Sequence, residues 1–326
     1  MAYQLAVGSS TVLYIGKQGS GRGTPCVADS EFNRFALISL SIEPVITTIP
    51  DPSLDSSVDE LAVYSGGVTW QGTLKTRANY VGIGQSNLLG ACLGTNTTGT
   101  VTTAESGGYW TLLFNRGGME TTPLFERLSD VRFTGFTFKC AAGTGTEAMG
   151  QFEFTFIGST YAVGQAVPTG TPPSAPAANP VLFHQATVGS WCDGLRVAAG
   201  TLVYRPKSVE IAYKVPLEPS NFIMTSATSL EPARTGKNTC EWKFEESLMS
   251  VAPITAALTG AVNTYPLTVT FATTGVSMAF TSTLARVTSY SGPVDGAGEV
   301  REAIGWRASY HATDSGSLKI VCDYTA

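Results

Sequence analysis

The chain has 326 residues, 43% of them hydrophobic and only 14% charged, with a formal net charge of −5. That length allows roughly two domains with real cores, and no Lys/Arg run offers a direct grip on nucleic acid. The charged fraction is well below the usual quarter or so, which suits a surface covered in an assembly. The 35 glycines and the lack of long helical patterns favour an all-β chain of short strands and turns.

Taken in order, Thr11 to Ile15 predicts a short strand and Lys17 to Thr24 a Gly-rich turn. Ile38 to Pro44 alternates apolar and polar residues strictly, as does Val68 to Leu74; a period of two marks a strand with one buried and one wet face. Between them, Val45 to Gly67 is expected to form a long loop rich in Pro, Asp and Ser. Gly84 to Gly94 predicts a short helix, with Ser86 as N-cap, Leu88, Leu89, Cys92 and Leu93 on one face, and Gly94 as C-cap. Trp110 to Asn115 is a further strand, and Val131 to Cys140 and Phe152 to Ile157 form a pair around the turn 141–150. Residues 162–180, with five prolines from Pro168 to Pro180, are expected to form an extended linker between a domain at 1–161 and a second at 181–326.

The second half repeats the order. Val209 to Pro219 alternates and ends in Glu218-Pro219, as the first module ends in Glu43-Pro44. A loop at 220–238 leads to Cys240 to Glu245, which places Trp242 where the first module has Trp70. Val251 to Gly260 stands where the first helix stood, and Leu267 to Phe271, Val276 to Phe280, Trp306 to Tyr310 and Leu318 to Tyr324 come after it as strands. Phe152, Phe154 and Phe156 match Leu318, Ile320 and Cys322 at constant offset. The expectation is two related β-sandwich or partial-barrel domains in tandem.

Residues suited to catalysis are sparse. His311 and Asp314 suggest half a triad, but no nucleophile elbow accompanies them, and a histidine at a hairpin turn is the plainer reading. Gly16 to Gly23 lacks the spacing of a phosphate loop. Asp51, Asp55, Asp59 and Glu60 share one loop without EF-hand spacing. The six cysteines have no CxxC spacing, and several fall on apolar faces, so buried reduced thiols are expected. Met1 to Ala6 lacks the features of a secretory leader, and no apolar run approaches the ~20 residues of a membrane span. Assembly in the cytoplasm is therefore expected, without cofactor, metal or catalytic residues.

Thr11-Val12-Leu13-Tyr14-Ile15-Gly16 resembles the opening strand of the major tail tube proteins of long, flexible-tailed phages. The order downstream is similar to that family too: a strand ending at Ile42-Glu43-Pro44, an acidic loop, Val68-Thr69-Trp70-Gln71-Gly72, then the helix with Leu88, Leu89, Cys92, Leu93 and Gly94. The strand pair at Val131 and Phe152 completes the likeness, which departs from single-domain members by its doubling. The resemblance implies a structural virion protein that self-assembles into rings of six folds, whose inner sheets join into one barrel and whose rings stack into a tube for DNA ejection. Three doubled chains would then close a homotrimeric ring of pseudo-sixfold symmetry. Implied partners are other copies, tape measure, terminator and distal tail proteins, with DNA only in transit. An adhesion or carbohydrate-binding protein of a tail tip, built of two β-sandwiches, is the alternative.

On the tube reading, two sets of residues matter. Wet-face residues expected toward the lumen include Ser39, Ser41, Glu43, Thr69, Gln71 and Thr73 in one half, and Lys214, Glu218, Glu241, Lys243 and Glu245 in the other. An acidic wall is expected, since it would not hold DNA phosphates. The long loops are expected to contact the next ring through Ile46, Ile49, Asp51, Asp55, Asp59, Glu60, Leu61 and Tyr64 in the first and Arg234 and Lys237 in the second.

Overall fold

In the computed structural model, residues 12–19, 21–50, 63–80, 83–97, 99–103, 108–115, 125–166, 179–188, 197–198, 201–202, 206–218, 232–247, 264–292 and 301–324 are described. The alternating stretches are strands, as their pattern requires, and the protein is all-β with one α-helix among the described residues. The first half contains β1 (Val12–Lys17), β2 (Phe32–Arg34), β3 (Leu37–Pro50), β4 (Val63–Arg77), α1 (Ile83–Leu93), β5 (Gly94–Thr97), β6 (Thr100–Thr103), β7 (Trp110–Asn115), β8 (Phe125–Ala141), β9 (Gln151–Gly158) and β10 (Thr160–Gln165). The second contains β11 (Ala186–Val188), β12 (Val197–Ala198), β13 (Thr201–Leu202), β14 (Pro206–Lys214), β15 (Leu217–Glu218), β16 (Ala233–Arg234), β17 (Thr239–Ser247), β18 (Tyr265–Thr273), β19 (Val276–Ser291), β20 (Arg301–Ala308) and β21 (Lys319–Tyr324).

Two long strands organise these elements by serving two sheets each. The first part of β8 pairs with β7 and β10 in a small outer sheet that continues through β1 to β2. Its second part pairs with β9 on one side and β14 on the other. Strand β19 does the same: its first part lies between β18 and β21, its last part against β20. The result is one main antiparallel sheet in the order β3-β4-β9-β8-β14-β17-β20-β19. The β5–β6 hairpin after α1 extends the second outer sheet by pairing β6 with β21.

A buried carboxylate stands at each corner. Asp130 takes a left-handed backbone (φ 56°) where β8 changes sheets. Its Oδ1 accepts the Gly23 N–H (2.7 Å) and its Oδ2 the Ser159 hydroxyl (3.1 Å). At the β19 corner, Asp314 Oδ2 accepts the Thr283 N–H (2.8 Å), and the buried Ser282 hydroxyl accepts from Trp242 Nε1 (3.0 Å). Satisfying these buried donors fixes two bends that regular pairing would not make.

The pairing order of the first half recurs in the second. β1-β7-β8-β10 has its counterpart in β11-β18-β19-β21, and β3-β4-β9-β8 in β14-β17-β20-β19. Even the bulge recurs: β8 shifts register between Phe133 and Gly135 against β9, and β19 between Val287 and Ser289 against β20. The halves share one core, in which Phe136 and Phe138 of the first meet Tyr213, Phe271 and Phe280 of the second.

This register corrects the residue matches drawn from sequence. The bulges equate Phe156 with Trp306, so their cross-strand partners Gly72 and Trp242 are equivalent, not Trp70 and Trp242. A side chain at Gly72 would collide with Ser41 O (2.2 Å) and the Phe156 ring (2.6 Å), so the bulk that Trp242 supplies in one half comes from Phe156 in the other. Trp70 instead stacks on Tyr161 (centroids 4.2 Å apart, 16°). Strand β9, with Phe152, Phe154 and Phe156, corresponds to β20; β21, with Ile320 and Cys322, corresponds to β10. Alternation alone does not separate two strands of one period.

Four further expectations change. Residues 45–50 and 63–67 are not loop but the ends of β3 and β4, paired as far as Pro50 and Val63. Their run of β-branched residues favours strand over loop. Ser86 lies inside α1, not at its N-cap, and its hydroxyl accepts from Asn96 Nδ2 (3.1 Å). The start of the expected linker, 162–165, completes edge strand β10, which is possible because its prolines begin only at Pro168. Thr69 is buried, not wet. The expected second helix at 251–260 lies outside the described residues.

The joint between the halves is close. A methyl group at Gly135 would sit 2.2 Å from the Tyr213 carbonyl oxygen across the β8–β14 pair. Gly135→Ala is expected to destabilise the fold by roughly 1–3 kcal/mol, as overpacking does. Urea unfolding checks this, with a lowered midpoint and an unchanged m-value.

Candidate assembly interface

The main sheet has one buried and one wet face, because alternate residues of each strand point to opposite sides. The core face presents Leu74, Phe154, Phe136, Ile211, Trp242 and Trp306, all buried. Among the residues assigned to a lumen, Glu43, Gln71, Glu241, Lys243 and Glu245 share the other face, with Ser39, Ser41, Thr73 and Lys214 at the same register parity. Glu218 does not: it sits in the short β15–β16 ribbon, outside the main sheet.

That wet face is mixed in charge rather than acidic. Lys75, Lys139, Lys214, Lys243, Arg286 and Arg307 alternate there with Glu43, Glu153, Glu210, Glu241 and Glu245. Lys75 Nζ lies 3.0 Å from Glu153, Lys139 Nζ 3.4 Å from Glu210, and Lys243 Nζ 3.1 Å from Glu245. Composition gives the total charge, but only the register shows which cations stand beside which anions. Such half-exposed pairs contribute under about 1 kcal/mol each to stability; their larger effect is to lower the local field that a polyanion would meet.

The sheet ends in two edges. β3 pairs only with β4, and the last part of β19 only with β20, among the described residues. Ile38, Val45 and Ile46 on β3 are 49%, 37% and 56% exposed. Long apolar edges of this kind template pairing with another chain. Pro44 points its nitrogen outward. The Arg77 N–H donates to Ala36 O, so odd-numbered β4 residues face β3 and pair with Ser39, Ser41 and Glu43; the even residues Leu40, Ile42 and Pro44 turn their backbones to the open side.

Strands β3 and β4 also run beyond β9, whose pairing ends at Trp70 and Gly158. Ile46 and Ile49 of β3 and Tyr64 of β4 therefore stand in a two-stranded ribbon that projects past the sheet. Arg234 lies in β16, where it donates to Asn238 Oδ1 (3.1 Å), and Lys237 is exposed close by. Asp51, Asp55, Asp59, Glu60 and Leu61 lie outside the described residues.

The residues weighed for catalysis have structural surroundings. His311 sits in a tight turn, 3.9 Å from Asp314, whose carboxylate also holds the β19 corner. The Gly-rich turn after β1 is pinned to Asp130 through Gly23 and, 3.9 Å away, Arg22. An open hollow of about 310 Å³ at the rim of the β8–β14 joint is lined by Lys139, Glu147, Gln151 and Glu210, of which Lys139 pairs with Glu210 and Glu147 accepts the Gly145 N–H (3.1 Å). Among the described residues, no group of three or more His, Cys, Asp or Glu is placed to hold a metal.

Cys26, Cys92, Cys140, Cys240 and Cys322 are free and buried. Burial pushes the thiols of Cys140 and Cys240 up to about 12, and that of Cys92 well above its ordinary value. Thiolate is the reactive form, so these cysteines are expected to resist alkylation at pH 8 in native protein and to react once unfolded. Mass spectrometry after labelling checks this; rapid native labelling of Cys140 or Cys240 would contradict it.

No known family model matches the chain, and no curated protein matches it either.

Proposed function

We propose that this chain is a structural subunit of a phage-type tail tube, with neither catalytic residues nor cofactor. The observation that carries the reading is an antiparallel main sheet with one wet, charge-paired face and two open edges. An even number of alternating strands lets an edge of one copy meet the opposite edge of the next in antiparallel fashion, and such head-to-tail contacts generate rings when the rotation closes. Closure removes the exposed edges. The repeated half suggests a ring of three chains with pseudo-sixfold symmetry, a barrel of about 24 strands. At ~4.8 Å per strand and ordinary tilt, its wall is roughly 40–50 Å across, wide enough for an aqueous channel.

In this reading the wet face lines the channel, where paired Lys and Glu residues let DNA phosphates pass without a net cationic grip. The projecting β3–β4 ribbon contacts the next ring. Its further partners in this reading are tape measure, terminator and distal tail proteins, and the protein resides in the virion. A tail-tip adhesin of two separate sandwiches receives less support, since one backbone ladder crosses from β8 to β14.

Electron microscopy of the purified protein is expected to show rings or filaments with a central hole, and averaged end views a threefold term. Dispersed monomers at high concentration, or amorphous sheets, would reject the reading. Ile46→Asp is expected to leave the fold intact by circular dichroism while stopping rings from stacking into filaments; filaments of normal length would discard the ribbon's role.

A further inference from the structure

We infer that the internal β8–β14 joint is a template for the joint between copies, and that it gives the residue register of that contact: the last part of β19 in one copy pairs antiparallel with β3 of the next, Tyr290 opposite Pro44. This joint deepens the tube reading and rests on it only in that copies associate, not on their number or on stacking.

Equivalence between the halves supplies the register. Strand β8 corresponds to β19 and β14 to β3, so the pair filled inside the chain, β8–β14, has its counterpart in two strands that take no further strand on their outer sides among the described residues. Across the internal joint Phe136 faces Tyr213 and Gly135 faces Lys214. Phe136 corresponds to Tyr290, because their partners Phe154 and Ile304 are equivalent. Tyr213 corresponds to Pro44, because Ile211 and Ile42 face the equivalent residues Trp242 and Gly72. Transferring the register sets Tyr290 against Pro44, Ser289 against Val45, and Ser291 against Glu43.

Burial points the same way. Inside the joint, Val209, Ile211, Phe133 and Phe136 are buried. Their counterparts Leu40, Ile42, Val287 and Tyr290 are packed against the core but only partly buried. A neighbouring copy would cover them as the other half covers their equivalents. The internal stack of Phe136 on Tyr213 (centroids 6.0 Å apart, 23°) becomes a tyrosine against a proline ring.

Backbone polarity also agrees. The Ser309 N–H donates to Leu284 O, so odd residues of β20 face β19 and pair with Ser289 and Ser291. Tyr290 then turns its N–H and carbonyl outward, as Pro44 turns its carbonyl outward. Tyr290 and Pro44 form a hydrogen-bonding position with one donor missing; the Ser289–Val45 and Ser291–Glu43 positions are the closely spaced kind, with Cα atoms about 4.5 Å apart. A second open edge repeats the logic. Strand β21 is covered by β6, whereas the outer side of its counterpart β10 is open among the described residues, with Val163 67% exposed.

Cysteine pairs test the register, since disulfides need Cα atoms within about 7 Å. Glu43→Cys/Ser291→Cys and Val45→Cys/Ser289→Cys are each expected to give, under mild oxidation, intermolecular adducts resolved on a non-reducing gel. Ser41→Cys/Ser291→Cys, two residues out of register, is expected to give at least tenfold less, and the unmodified chain none. Absence of adducts from both in-register pairs, or equal yield from the shifted pair, overturns the inference. Tubes seen by microscopy without in-register adducts would leave the tube reading standing and discard this joint. Adducts that close into rings without filaments would uphold the joint and discard the tube.

Discussion

Ser208 to Lys214 of β14 lie in register against Ala141 to Gly135 of β8, and the rest of the protein depends on that ladder. Without it, each half would end at an unsatisfied sheet edge, and the buried faces of Phe136 and Tyr213 would meet water. A buried backbone N–H or carbonyl left unpaired costs as much as a lost hydrogen bond. The Val215 N–H extends the contact to Thr134 O (2.7 Å), and the Ala142 N–H to Lys207 O (2.6 Å). A solution found once inside the chain is available again between chains, because the second half ends in an equivalent strand and the first half begins with the equivalent partner.

The two bent strands make this arrangement possible. By crossing from outer to main sheet, β8 and β19 tie each half's outer layer to the common inner one. The corner carboxylates Asp130 and Asp314 hold the crossings. The main sheet can then bury one face against the outer layers and keep the other wet. That wet face carries function in the proposed tube, and its charges are arranged by strand register. Lys139 and Glu210 stand beside each other because β8 and β14 belong to different halves that meet there.

The fold class is legible in the sequence because period-two alternation is a direct consequence of strand geometry. Trp110–Asn115 reads as a strand with its observed bounds, and the strand around Phe152, Phe154 and Phe156 to within one residue at each end. Register is not legible. Val45 to Ile49 reads as loop beside Pro50 and Asp51, although its β-branched side chains suit a ribbon. Trp70 and Trp242 look equivalent because both are tryptophans, while packing places Trp242 opposite Trp306 and reserves Gly72 for the bulk of Phe156. The wet-face set around Glu43, Gln71 and Glu241 can be found from alternation. The edges of the main sheet, β3 and the last part of β19 among the described residues, cannot, since an edge is defined by which strands stand beside it. The charge balance of the wet face likewise emerges only when cross-strand neighbours are known.

Amide hydrogen exchange, compared residue by residue between free and assembled protein, tests the central claim most directly. If copies join through β3 and β19, the outward N–H groups of Leu40, Ile42 and Tyr290 gain protection on assembly. Ser41 and Glu43, already facing β4, change little, giving a pattern that alternates along the strand. Unchanged exchange at Ile42 and Tyr290 in assembled particles, with protection gained elsewhere, would contradict the account.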